Sequence, residues 1–322
     1  MGTVAPLVSI GMPVRNGERF LPAALDAILS QTFQNFEIVI SDNASGDATP
    51  EICRGYAASD SRIRYFRNET DLGAARNYNR VFHLARGKYF RWAAHDDLCS
   101  RTHLERCVDV LEHMPSVVLC YPRTMVIDED GNFVCYRQDG LDLRAKSAAA
   151  RYSSYHARFR ASRKCDPVFG LIRSCALACT PLIGNYLSSD EVLIAELALR
   201  GEFYELPEAL FMRRDHPGTS TRRYPTKDEG RAVWFDTRKK GKLLLPHWRL
   251  LREHVAVLKR VPLPPRERVR CAMDLTKWMI GSRRDLLREL MRPPRYVASR
   301  LSKPLRRSLR GVLGRSRAVT PR

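Results

Sequence analysis

Two adjacent carboxylates, Asp96 and Asp97, come one residue after an apolar, aromatic run, Tyr89–Ala94 (YFRWAA). Side-by-side carboxylates repel unless a cation or strong donors share the site. A hard divalent ion such as Mg²⁺ or Mn²⁺ would serve, since it binds one or two carboxylates and completes its shell with phosphates and water. The same pair would equally suit the start of a helix near Thr102, because Asp is a common cap, and spacing alone does not separate the two readings. A second acidic pair, Asp190 and Glu191, opens a helical pattern (SSDEVLIAEL). Facing the helix's positive end, Asp190 would contribute ~0.3–1 kcal/mol; facing a substrate hydroxyl, it could take a proton. The stretch FMRRDHPGTS sets Arg213, Arg214 and His216 ahead of Pro217 and Gly218. These are donors on a loop, suited to negative charge, although on base rates such arginines more often lie on a solvated surface.

Residues of this kind need a scaffold, and the first half of the chain supplies the pattern of one. Short β-rich runs (Leu7–Pro13, Phe36–Ser41, Ile63–Arg67, Tyr89–Ala94) alternate with helical patterns at about Glu18–Ser30, Thr49–Ser59, Gly73–Ala85 and Thr102–His113. Such alternation predicts βαβ units around a parallel sheet. Pro22 falls in a first helical turn, and Asp47, Thr49 and Pro50 mark the start of the next helix. In an open parallel sheet ligands bind beyond the carboxyl ends of the strands. Those positions hold Arg15 to Gly17, Asp42 and Asn43, Asn68 to Gly73, and His95 to Asp97. They lack both G-x-G-x-x-G and G-x-x-x-x-G-K-[ST], which disfavours a dinucleotide oxidoreductase or a P-loop nucleotidase. Residues 117–137 predict a hairpin turning at Asp130-Gly131. Residues 141–165 are weakly patterned and predict a mobile connection or a helix near the site. A helix over 189–200 ends at Gly201, and a short strand follows it.

The chain has 322 residues and a formal charge of +20, concentrated at one end: residues 283–322 hold thirteen Lys or Arg against two acids. Nine scattered cysteines without a C-x-x-C pair argue against a disulfide framework or zinc site and for a reducing compartment. No basic segment followed by an apolar one opens the chain, and no run nears the roughly 20 apolar residues of a membrane span. A cytoplasmic protein is expected.

The blocks VSIGMPVRNGERFL, SQTFQNFEIVISDNASGDAT and ARGKYFRWAAHDDL, in that order and spacing, resemble glycosyltransferase family 2 over roughly residues 7–220. The resemblance implies an α/β fold of the GT-A type, Rossmann-like, with a mostly parallel sheet flanked by helices, over residues 1–225. About 1–100 would form the nucleotide-sugar half and 101–225 the acceptor half, with 226–322 a basic helical extension. The family's carboxylate motif often reads D-x-D-D; this chain has Ala94-His95-Asp96-Asp97, so the leading carboxylate is absent. By resemblance Asp97 would hold the metal, Mg²⁺ or Mn²⁺, and Asp96 would share it or contact the ribose or diphosphate. Pro13, Arg15, Asn16 and Glu18 match the family's first nucleotide loop. Asp42 and Asn43 fall where it usually carries two aspartates against the base. Gly73, Arg76 and Asn77 match a further donor-binding stretch, Arg213 and His216 an R-x-H stretch, and Asp190 the catalytic carboxylate.

The implied reaction is sugar transfer with inversion from a nucleoside-diphosphate sugar to a hydroxyl of a glycan or lipid-linked acceptor, as in cell-envelope or polysaccharide synthesis. Leucine, valine and tyrosine interleaved with arginine in residues 283–322 suggest a further partner, an anionic membrane surface. The protein would then sit at the inner face of the plasma membrane, with no specific nucleic acid bound. Two other readings are a metal-dependent nucleotidyltransferase, which would release pyrophosphate, and a non-catalytic basic protein binding nucleic acid. The latter explains the charge but not the ordered blocks.

Overall fold

The computed structural model describes residues 5–162, 165–219, 222, 234–236 and 245–291. The expected basic extension therefore lies partly, and its tail from residue 292 wholly, outside the described residues. Strands β1 (Val8–Val14), β2 (Phe36–Asp42), β3 (Ile63–Arg67) and β4 (Tyr89–Trp92) alternate with helices α1 (Leu21–Leu29), α2 (Thr49–Ser59) and α3 (Ala74–Leu84). β5 (Leu98–Cys99), α4 (His103–His113), β6 (Val117–Ile127) and β7 (Phe133–Arg137) follow. Next come α5 (Ala148–Ser162), a 3₁₀ turn at Asp166–Phe169, β8 (Leu171–Arg173), α6 (Ser174–Ala178), α7 (Ser189–Arg200) and β9 (Glu202–Arg214). Three helices end the described chain: α8 (Pro246–Arg260), α9 (Pro265–Gly281) and α10 (Arg283–Leu290).

The strands form one nine-stranded sheet in the order β3-β2-β1-β4-β8-β6-β9-β5, with β7 beside β6. β1 to β4, β6 and β9 run one way, and β5, β7 and β8 run against them. β1 and β2 are buried along their whole length, as central strands covered on both faces must be. One apolar layer packs α1, α2 and α4 on one side, through Leu25, Cys53 and Leu104. The other holds Phe90 and Trp92, edge to face at 5.0 Å, against α3, α5 and α7.

The sequence's weakest region folds firmly. Residues 148–162 are a helix, because Ala149, Tyr152 and Tyr155 recur on one face and are buried against α7. The predicted short strand after α7 is 13 residues long, since it pairs in parallel with all of β6, from Val117 opposite Glu202 to Ile127 opposite Arg214. Helices α8 and α9 share the inner core, with Val257, Leu258, Cys271 and Leu275 packed alongside Tyr152 and Leu193.

Candidate active site

β1, β2 and β4 end side by side, and their loops are knitted together by polar side chains. Asn16, at φ +51°, accepts from the Gly46 N–H at 2.9 Å and gives its own N–H to Ser45 Oγ at 2.9 Å. Glu18 accepts from the Ala48 N–H at 2.9 Å, and the Gly17 N–H reaches Thr49 Oγ1 at 2.8 Å. Pro13 is buried at the end of β1, while Arg15 is exposed and paired with Asp71. Asp47 receives the N–H groups of Glu18 and Thr49, so it starts α2 and ties the first loop to the second.

A second network lies beneath. Asn43 donates to Asp71 Oδ1 at 2.6 Å and accepts from Asn68 Nδ2 at 3.1 Å and the Leu72 N–H at 2.9 Å. Asn77 donates to the Ser41 carbonyl at 2.8 Å and accepts from Ser41 Oγ at 2.7 Å. Asp42 is fully buried and accepts from the Ser45 N–H and the Tyr65 hydroxyl, both at 2.9 Å, with Arg67 3.7 Å away. These side chains spend their bonding capacity fixing the loops at the ends of β1 and β2. Gly73 has φ +79°, and a Cβ there would stand 2.7 Å from the Phe235 carbonyl, so another backbone approaches it closely. Arg76 is not brought into either network: it is exposed on α3 and shares a surface hollow of about 400 Å³ with Arg80 and His83.

Asp96 and Asp97 stand on the loop between β4 and β5. The end of β9 reaches back over them. The Arg214 N–H donates to Asp97 Oδ1 at 2.8 Å, and Arg214 Nε donates to the Asp96 carbonyl at 2.9 Å. Arg214 Nη1 continues to the carbonyls of Asp128 and Glu129 in the β6–β7 turn, at 3.2 and 2.9 Å. His216 Nε2 lies 3.0 Å from Asp96 Oδ2. Phe20, from the first loop, packs on His216 (centroids 4.7 Å) and beneath the Arg214 guanidinium (4.9 Å). His95 rests against Gly17, where any Cβ would meet its ring at 2.7 Å.

The two carboxylates diverge electrostatically. Burial, and then the charge of Asp96, pushes Asp97 well above the ordinary carboxylate range. Burial opposes the charge of Asp96 too, but the His216 hydrogen bond and the nearby His95 and His216 hold it below that range. A carboxylate that its neighbour discourages from ionising is what a cation would relieve. The pair thus fits a divalent ion that takes one or two protein carboxylates and its remaining ligands from phosphate and water. Among the described residues no group of three or more His, Cys, Asp and Glu converges as a closed cage.

Asp190 lies in the first turn of α7 after Ser188, which has φ +59°. Burial raises its carboxyl above the usual value against the pull of the helix's own N–H groups. Burial, and then the charges of Asp96, Asp97 and Asp190, push the Tyr78 hydroxyl up, so all three carboxylates act on one phenol. Arg213 belongs to the same group. Its guanidinium is hydrogen-bonded to Asp166, and Asp97 and Asp96 also keep its charge in place against burial. Arg137 Nη1 stands 3.5 Å from the other Asp166 oxygen. Sequence reasoning missed Asp166, Arg137 and Tyr78. Asp166 falls just beyond the weakly patterned residues 141–165, in no motif that marked it. A surface hollow of about 510 Å³ between α1 and α2 is lined by Pro22, Ile52 and Tyr56 and holds none of these groups.

Comparison with known proteins bears on the family and the fold. The sequence model described as Glycosyl transferase family 2 matches residues 9–180, just over half of the chain. An uncharacterized glycosyltransferase of Rickettsia typhi is 30% identical over 187 residues, 58% of this chain and 52% of its own length. An uncharacterized glycosyltransferase of Rickettsia bellii is 33% identical over 138 residues, 42% of this chain and 19% of its own length. The chain thus spans about half the length of the first of these relatives and about a fifth of the second. S. aureus TarS 1–349, solved in complex with UDP-GlcNAc, superposes with a TM-score of 0.62 at 14% identity, covering 88% of this chain and 79% of that one. The mannosyltransferase PcManGT from Pyrobaculum calidifontis, in complex with GDP-Man and Mn²⁺, gives a TM-score of 0.51 at 15% identity, covering 95% and 81%. These likenesses concern the fold, which is GT-A. With the matched blocks reaching from β1 to the turn after α6 and the carboxylates standing at the ends of the same strands, the chain is a member of glycosyltransferase family 2.

Proposed function

We propose that the protein transfers one sugar, with inversion, from a nucleoside-diphosphate sugar to a hydroxyl of a glycan or lipid-linked acceptor in cell-envelope or polysaccharide synthesis. The observation that carries this reading is the acidic pair Asp96 and Asp97 on the loop after β4, held from β9 by the Arg214 N–H and side chain and by His216. The binding of UDP-GlcNAc by TarS and of GDP-Man with Mn²⁺ by PcManGT supports the donor class.

On this reading Pro13, Arg15, Asn16 and Glu18 line the nucleotide. Asp42, Asn43, Gly73 and Asn77 fix the loops beneath it, and Arg76 contributes from the rim. Asp97 and Asp96 would hold Mg²⁺ or Mn²⁺, which when bound neutralises charge on the diphosphate. Arg213 and His216 place further donors where the leaving diphosphate gathers negative charge, and this preorganised field does not need to rearrange during reaction. Asp190 accepts the acceptor hydroxyl's proton as that oxygen bonds to the anomeric carbon from the face opposite the diphosphate. Its raised affinity for a proton makes it a better base than an exposed aspartate.

We also propose that residues 283–322 rest on an anionic membrane. Among the described residues, no helix is long and apolar enough to cross one.

Nucleoside diphosphate release across a panel of nucleotide sugars tests the reaction. One donor should be turned over in a metal-dependent way, and Asp97→Ala and Asp190→Ala should abolish transfer. Full metal-dependent turnover by Asp97→Ala, or pyrophosphate as product, would sink the reading.

A further inference from the structure

Helix α9 has two apolar faces. Cys271, Leu275 and Trp278 turn inward into the core shared with α5 and α8. Across the helix, Val269, Met273 and Ile280 stand in solvent, 60%, 57% and 54% exposed. At about 100° per residue their i, i+4 and i+11 spacing puts them within a strip roughly 40° wide. Exposed Arg266, Arg270 and Lys277 run along one border of the strip. α10 repeats the design: Leu287, Leu290 and Met291 are 57%, 61% and 75% exposed, with Arg284 and Arg288 beside them.

The acids of these helices are mostly spent elsewhere. Glu267 accepts from the Ala149 N–H at 2.6 Å and from Ser147 Oγ at 2.7 Å, bracing the start of α5. Glu289 is buried and accepts from the His247 N–H at 3.0 Å. Asp274 is buried and paired with Lys277 at 3.0 Å, and Asp285 is paired with Arg288 at 3.0 Å. What faces outward is an apolar strip edged by cations. A soluble helix normally covers one apolar face and solvates the other. An exposed apolar strip with a basic border matches the chemistry of a helix lying in a headgroup layer.

We propose that α9 and α10 form a bilayer-contact face. Val269, Met273 and Ile280 enter the acyl boundary of an anionic leaflet, and the bordering arginines and lysine meet its headgroups. Charge selects this occupant: the border is basic, and the chain runs on through residues 292–322 with ten Lys or Arg and no acid. An anionic lipid surface complements both features together. The face extends the membrane contact proposed for residues 283–322 back to α9, and it does not depend on the sugar-transfer reading.

Flotation of the full chain with vesicles of phosphatidylglycerol and phosphatidylcholine, or of phosphatidylcholine alone, tests the face. Four versions of the chain are compared: wild type, Met273→Glu with Ile280→Glu, Ile280→Gln alone, and a tail variant with Arg300, Arg306, Arg307 and Arg310 changed to Gln. The wild type should float with the anionic vesicles and not with the neutral ones. The double variant should partition at least about tenfold more weakly, while its thermal melt is unchanged because both positions are exposed. Ile280→Gln, a milder change, should move partitioning the same way by about threefold. The tail variant should retain part of the binding. Undiminished flotation of both face variants would overturn the proposal and leave the tail as the anchor. A wild type that ignores anionic vesicles would overturn it as well. So would a face variant that changes only from dimer to monomer in light scattering, which would make a second copy the occupant.

Discussion

The backbone N–H of Arg214 donates to Asp97 Oδ1 at 2.8 Å, and the same residue's Nε donates to the Asp96 carbonyl at 2.9 Å. The carboxylate pair is therefore held by β9 and not by its own loop alone. Arg214 is 5% exposed and reaches Asp128 and Glu129 as well, so a shorter or differently shaped cation cannot replace it. Arg214→Lys should lower turnover and metal affinity by roughly 10–100-fold, the usual cost of losing support around a metal site. Titration of Mn²⁺ dependence in the turnover assay checks this.

Asp190 carries the proposed proton transfer, and its loss should be read in kcat. Asp190→Asn keeps the shape and removes the base, so kcat should fall by about 10²–10⁴-fold with donor binding intact. Burial raises the carboxyl above its ordinary value of 3.8, and only the ionised form accepts a proton. The acidic limb of kcat should therefore lie above pH 3.8, rising with pH as Asp190 ionises. A kcat profile flat down to that value would rule out Asp190 as the base.

Asp166 is a positioning residue, since it acts through Arg213. Its carboxylate is almost wholly buried and bonded to Arg213, with Arg137 at 3.5 Å. Removing one partner of such a pair strands the other charge, at a cost of roughly 3–5 kcal/mol for full burial. Arg213 keeps 28% of its side chain exposed, so Asp166→Asn should cost about 2–3 kcal/mol by denaturant melt. Asp166→Asn should raise the KM for donor more than Asp166→Glu does, and a purely structural role would leave both at wild-type KM.

His254 should make the fold acid-sensitive. It is 4% exposed, lies 3.3 Å from the Tyr152 hydroxyl, and packs against His156 and Trp278. Burial lowers its pKa from 6.5 to about 4, so between these values the unfolded chain binds a proton that the folded chain refuses. Stability is then full above pH 6.5 and falls as pH drops toward 4, by up to about 3 kcal/mol. Urea midpoints across that window should fall with acid in the wild type and less steeply in His254→Phe.

The first half of the fold was legible because its signals are local. Thr49–Ser59 and Ile63–Arg67 follow from Pro50, from alternating apolar residues and from the loop chemistry between them. The acidic pair was legible as a pair, and the strand before it as a strand. What the chain could not disclose locally is who touches whom across long separations. Asp97 meets Arg214 across 117 residues, and Asp166 meets Arg213 across 47. Asn43 shows the same limit in another form. Its place in the family pattern implied a contact with the base, and its side chain's three hydrogen bonds are ones that hold the loop.

The late arrival of β9 has a consequence for synthesis. Asp96 and Asp97 leave the ribosome long before Arg214 and His216, and the parallel pairing of β6 with β9 is non-local, a kind of contact that forms slowly. Until residue 216 emerges, the paired acids have neither their backbone donor nor their histidine. A nascent or truncated chain that already carries every block of the family match, which ends at residue 180, would still lack these supports of the acidic pair. The support of the acidic pair is thus completed late, when β9 and the residues after it dock.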